Sequence, residues 1–135
     1  MRQLMTILCS LCVLPVALLA APIDTSTPLL CATQWVQECG SDVLECQQRS
    51  FKDVNLPPFL KIDLGQKKVV AMGAEPRDAV VRSIETVEDL VVIQGGQPRV
   101  GWSLVLNRST GSMSATVVSD GVGFVVFGSC ISTSP

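Results

Sequence analysis

The chain has 135 residues, 47% of them hydrophobic and 16% charged, with no His and no Tyr; ten Lys and Arg against twelve Asp and Glu give a net charge of −2. That length holds one hydrophobic core, not two. The missing His excludes Ser-His and Cys-His nucleophile pairs and most zinc and copper sites, and so weak a charge offers no basic footprint for nucleic acid.

Residues 1–20 begin with a single positive charge, Arg2, continue through an apolar run to Leu14, break at Pro15 and end in small residues. This is the pattern of a secretory signal peptide, expected as an N-terminal signal helix removed after Ala20, or after Ala21 as the less suitable cut because Pro22 would follow it. The run is short for about 30 Å of hydrocarbon and Pro15 interrupts it, so no stable membrane span is expected after processing. Cys9 and Cys12 leave with the segment, each preceded by Leu where lipoprotein processing would want a small residue. Losing Arg2 as well leaves nine basic and twelve acidic residues, a net charge of −3.

Cys31, Cys39, Cys46 and Cys130 remain. Four cysteines in an exported chain imply two disulfides, with three possible pairings, and an oxidising compartment, either periplasmic or secreted. The spacing favours Cys39–Cys46, which closes a short polar turn, and Cys31–Cys130, which ties the first strand to the last. On the chain-entropy model the short loop contributes roughly 2–3 kcal/mol and the long one about 4–5 kcal/mol. A four-thiolate metal site is disfavoured because structural zinc sites pair cysteines two to four residues apart.

In chain order, residues 21–30 are rich in Pro and Thr with no apolar period and read as a flexible leader. The domain is expected over 31–130, with a polar tail at 131–135. Cys31 to Glu38 predicts an opening strand with Trp35 on the face of Cys31, and Ser50 to Pro58 a loop ending in a Pro pair. From Phe59 to Leu64 apolar and polar residues alternate, as in a half-buried strand. Gly65-Gln66 suits a two-residue type II′ turn into Lys67–Met72. Between Asp78 and Ile93, Val80, Ile84, Val87 and Val91 fall at helical spacing, but the β-branched content and the Glu88-Asp89 pair favour strands at Val80–Val87 and Leu90–Gln94. Gly95, Gly96 and Pro98 then suggest a break. Trp102–Asn107 and Met113–Val118 form a hairpin around Arg108–Gly111, with Asn107 bonding local backbone and Gly111 free to take positive φ. Asp120-Gly121 turns the chain into Val122–Cys130, which is apolar on both faces and therefore expected to lie centrally or be covered on both sides.

The expected fold is all-β: a small antiparallel meander of about eight strands closing into a barrel or flattened barrel, a closure that removes exposed edges. An immunoglobulin-like sandwich is the alternative, but no Greek-key connection is visible. The three cysteines at 31, 39 and 46, the segment Leu56–Leu64, Gly101–Leu104, Ser109–Gly111 and Gly123–Cys130 resemble a group of small exported bacterial proteins of unassigned function. The resemblance spans about 31–130 and implies compartment and a compact β fold, without any catalytic residue. At the level of architecture the chain also resembles the small β-barrel lysozyme inhibitors of the bacterial envelope.

No catalytic residue, metal ligand or cofactor site is predicted. Glu85, Glu88 and Asp89, and Glu38, Asp42 and Glu45, read as solvated turn residues, and the second group lacks the EF-hand spacing that calcium would use. No Gly-x-Ser-x-Gly elbow or dinucleotide-binding glycine pattern is present. Trp35 and Trp102 could line a ligand pocket, although their alternation places both in the core. Asn107 and Arg108, in an exposed turn, could touch a partner. The expected function is an exported, non-enzymatic β-barrel protein that binds another protein or a small apolar ligand in the cell envelope. The alternatives are an inhibitor of a cell-wall or host hydrolase and a carboxylate-based enzyme. Peptide mapping without reductant is expected to yield Cys31 joined to Cys130 and Cys39 to Cys46; Cys31 joined to Cys39 would remove the link between first and last strands.

Overall fold

A computed structural model of the chain describes residues 21–42 and 45–133; the expected signal helix at residues 1–20 lies outside the described residues. Ten strands follow in order: β1 (Leu29–Gly40), β2 (Gln47–Arg49), β3 (Phe59–Asp63), β4 (Lys68–Met72), β5 (Arg77–Ala79), β6 (Val81–Val87), β7 (Leu90–Gln97), β8 (Val100–Asn107), β9 (Ser112–Ser119) and β10 (Val122–Ser132). All pair antiparallel in one sheet of order β5-β4-β3-β1-β10-β9-β8-β7-β6, with the short β2 added to β1. The two strands beyond the expected eight are β2 and β5, each three residues long. Among the described residues no helix is long and apolar enough to cross a membrane.

The sheet's edge strands, β5 and β6, are consecutive in the chain and separated only by Val80. One bent segment thus pairs with β4 through its first half and with β7 through its second, which nearly closes the sheet into a barrel. Closure needs β7 to come very near the corner. Gly96 donates its N–H to the Val80 carbonyl at 3.2 Å, and the register of β6 shifts between Val81 and Ser83. A Cβ on Gly95 would overlap the Val80 carbonyl oxygen and the Trp102 indole. Gly95 and Gly96 therefore do not break the chain as expected: β7 runs through them to Gln97, and the turn falls at Pro98-Arg99, where Arg99 takes a φ of 71°.

A second irregularity lies in β1. Thr33 pairs with Gly128 and Trp35 with Phe127, so Gln34 is an extra residue, a bulge. Because strand side chains alternate with period two, one extra residue flips everything beyond it. Leu29, Cys31 and Thr33 share the barrel's inner face, but beyond the bulge Val36 is buried and Trp35 is 50% exposed. The expectation that Trp35 shares the face of Cys31 is thus corrected. Opposite the bulge Gly128 leaves room for the Ala32 carbonyl and for Met113, whose Cε would sit 2.8 Å from an added Cβ.

The turns follow local hydrogen bonding. Between β3 and β4 the connection is four residues, not the expected pair Gly65-Gln66: Asp63 pairs with Lys68. The Asp63 carboxylate accepts the Gln66 N–H at 2.9 Å, and Lys67, at a φ of 52°, donates its own to Leu64 O at 3.2 Å. The Asp63 side chain, not Gly65, therefore organises this turn. Asn107 acts as expected, its Oδ1 accepting the N–H groups of Ser109 and Thr110 at 2.9 and 3.1 Å, with Gly111 at a φ of 74°. Glu88-Asp89 is the whole link between β6 and β7, so the helical spacing of Val80, Ile84, Val87 and Val91 forms no helix.

One end of the barrel is filled with large side chains, among them Leu29, Ile62, Val91, Leu106 and Met113, around the buried Cys31–Cys130 disulfide. The second disulfide joins Cys39 to Cys46. The 21–30 segment, read as a flexible leader, makes defined contacts at this end. Ile23 packs on the core and donates its N–H to Arg108 O at 2.7 Å, while the Ser132 hydroxyl donates to Asp24 O at 3.0 Å. The hydroxyl and N–H of Ser26 bond the Asp24 carboxylate and hold it below the usual carboxylate range. β10 lies centrally, between β1 and β9, although its outward Ile131 is exposed.

Replacing Gly95 by Ala is expected to destabilise the fold by about 3 kcal/mol, the upper end of what overpacking costs, because the clash is with backbone. Gly101→Ala, where an added Cβ meets nothing within 4 Å, is expected to change stability by less than about 1 kcal/mol. Urea denaturation of the two variants checks the contrast; equal effects would show that β7 does not close against Val80.

Candidate functional site

Ala71 on β4, Ala79 on β5 and Ala115 on β9 face a hollow bordered by the core residues Val69 and Leu104 and by Trp102. The volume they omit is a cavity of about 150 Å³ whose exposed surface is entirely apolar. Leu60, Val69, Leu104, Val117 and Val126 complete its walls, and Leu56 and Pro57 of the 50–58 loop close over it. Cavity and loop are fixed to each other. Thr33 donates its N–H to Pro58 O at 2.9 Å, and its hydroxyl faces the Pro57 and Pro58 carbonyls at 3.0 and 2.8 Å. Within the loop, Leu56 donates to Phe51 O at 3.0 Å and Asn55 takes a φ of 51°.

Trp102 forms one wall. It stands directly opposite Gly95 across the β7/β8 pair, and its ring covers the backbone that the missing side chain leaves open. The indole therefore serves two roles, shielding the barrel seam and lining the cavity. Two further hollows adjoin at Ala71: one of about 320 Å³ beside Asn55, Glu75 and Arg77, and one of about 180 Å³ beside Arg77, Gln97 and Trp102. The cavity thus has an apolar lining and a polar rim, the usual arrangement of a small-molecule pocket at the mouth of a β-barrel. Its volume is below the several hundred Å³ of drug-sized sites, so it admits a fragment-sized body.

The other sequence-derived candidates lie elsewhere. Trp35 is on the outer face, in an edge-to-face pair with Phe127 at a centroid distance of 5.6 Å. Asn107 is five residues along β8 from Trp102, roughly 17 Å away at strand rise, and its side chain is spent on its own turn. Arg108 fastens neighbouring turns: its Nη2 donates to Glu88 O at 2.8 Å and its main-chain N–H to Asp89 O at 2.8 Å. Its Nε is buried without a partner among the described residues. Glu38 pairs with Arg49 at 3.1 Å, and among the described residues no three His, Cys, Asp or Glu side chains converge as a metal site would need. The residues that make the cavity, Ala71, Ala79 and Ala115 above all, escape sequence reading because each is an unremarkable small residue. Their signal is collective: Ala at inward positions of β4, β5 and β9, beside Val69, Met113 and Val117.

Comparison with protein-family models, with curated proteins and with solved structures finds no match. Truncating Trp102 to Ala is expected to lower stability by about 3 kcal/mol, as removal of a large packed aromatic does, whereas Trp35→Ala loses about 1 kcal/mol or less with its edge-to-face pair. Thermal unfolding of the two variants separates the inner from the outer tryptophan.

Proposed function

We propose that this is an exported, non-enzymatic β-barrel protein that binds a small apolar molecule in the hollow end of its barrel, in the cell envelope or outside the cell. The observation that carries it is the wholly apolar cavity of about 150 Å³ behind Trp102, left by Ala71, Ala79 and Ala115. An enclosed aliphatic cavity of this volume takes up a molecule the size of benzene, and this hollow, open at its rim, offers a similar apolar volume. Filling it removes apolar ligand surface from water and restores dispersion contacts that the lining atoms lack. The two disulfides are compatible with an oxidising compartment.

A second observation favours protein capture. Trp35 and Phe127 are 50% and 36% exposed on the outer face, where aromatic side chains commonly anchor interfaces. If this face inhibits a hydrolase of the lysozyme type, Trp35→Ser abolishes inhibition of the purified enzyme and leaves cavity binding intact.

Hexan-1-ol tests the cavity. At about 0.8 kcal/mol per buried methylene, half a dozen carbons give a Kd on the order of 1 mM. Titration followed by ¹H–¹⁵N spectra is expected to move the amides of Ala71, Ala79 and Ala115. Ala115→Leu, which places a larger side chain in the hollow, is expected to weaken binding at least tenfold. Binding that survives this change, or shifts confined to other regions, would refute the site.

A further inference from the structure

We propose that the occupant of the cavity is an amphiphile with a short apolar body and one carboxylate, its acid group held at the rim by Arg77; this rests on the cavity being a binding site. The cavity and its two adjoining hollows include three charged lining residues, Glu75, Arg77 and Asp78. Their placement differs. β4 and β5 pair Val69 with Ala79 and Ala71 with Arg77, so Arg77 continues the inward row of Ala79 and stands at the mouth. Asp78, one residue on, alternates to the outer row and pairs with Lys68 at 3.3 Å. Glu75 is in the connection between β4 and β5, beyond Pro76.

Arg77 lines both rim hollows. Its Nη2 donates to the Asn55 carbonyl at 3.2 Å, and among the described residues no carboxylate lies within the 4.0 Å of a salt bridge to it. A guanidinium has five N–H donors in a planar fork matched to a carboxylate. One bond to Asn55 steadies the side chain beside the loop that covers the cavity and leaves the remaining donors available. The interior offers no polar atom to a head group, so the apolar body is driven inward and the charged end stays at the wet rim. The same division sets ligand length: the body fills about 150 Å³, and the acid must emerge within reach of the first residue of β5.

The test compares hexanoate with hexan-1-ol, two probes of one chain length and different head group, by calorimetric titration of the mature domain with its disulfides intact. Hexanoate is expected to bind about fivefold more tightly, the scale of a solvent-exposed ion pair. In Arg77→Gln that preference is expected to vanish while hexan-1-ol affinity changes less than about twofold. Raising salt is expected to weaken hexanoate alone; this arm uses the unaltered protein and does not depend on the variant folding. Hexanoate binding no tighter than hexan-1-ol, or a preference that persists in Arg77→Gln, overturns the carboxylate assignment and leaves the apolar cavity standing. If neither probe binds the unaltered protein, the cavity fails as a site and the head-group assignment falls with it.

Discussion

A sheet whose two edge strands follow one another in the chain can close only by turning a corner between them, and here the corner is Val80. Strand twist brings β5 and β6 toward each other, but their meeting requires β7 to pass within backbone contact of the bend. Gly95 permits that approach because it carries no side chain, and Gly96 uses it by bonding the Val80 carbonyl at 3.2 Å. The indole of Trp102 then covers the gap from inside. Barrel closure and the packing of the Trp102 ring over the seam both depend on one close backbone approach.

Closure at that corner is balanced by covalent closure on the far side of the barrel. Cys31 and Cys130 face each other across the β1/β10 pair, joining positions 99 residues apart. The disulfide is buried with Leu29, Ile62, Leu106 and Met113 in the core cluster. Ile23 adds an apolar contact from outside the sheet, and the turns at Glu88-Asp89 and Asn107–Gly111 are hydrogen-bonded to each other through Arg108. A barrel made rigid at one end can tolerate an unfilled volume at the other. Cavities cost stability roughly in proportion to their size, and the packed end together with the long-loop disulfide offsets that cost.

The strands were largely legible because alternation and turn chemistry act locally. β3, β4, β8 and β9 lie close to where period-two patterning put them, and Asn107 and Gly111 make the turn their chemistry favours. Sequence pattern and structure part where a tertiary contact overrides a local preference. Gly95-Gly96 looks like a loop until the Val80 backbone is placed beside it. Trp35 counts onto the inner face until Gln34 is recognised as an extra residue, which depends on the partner strand and not on β1 alone. Gly65 invites a tight turn, but Asp63 captures the Gln66 N–H and lengthens it. The cavity was least legible of all. It is a deficit of volume, created by three alanines from strands far apart in sequence, and Arg77 joins it only through its register with Ala71.

A hollow of this kind is a binding site only if it is dry, accessible and as apolar as its lining residues make it. Xenon is the most direct probe, since it has no head group, binds where apolar walls lack contact partners and is located without assumption about ligand chemistry. A crystal of the protein pressurised with xenon should show one strong site among Ala71, Ala79, Ala115 and Trp102. Absence of xenon there, or ordered water in its place, would contradict the account.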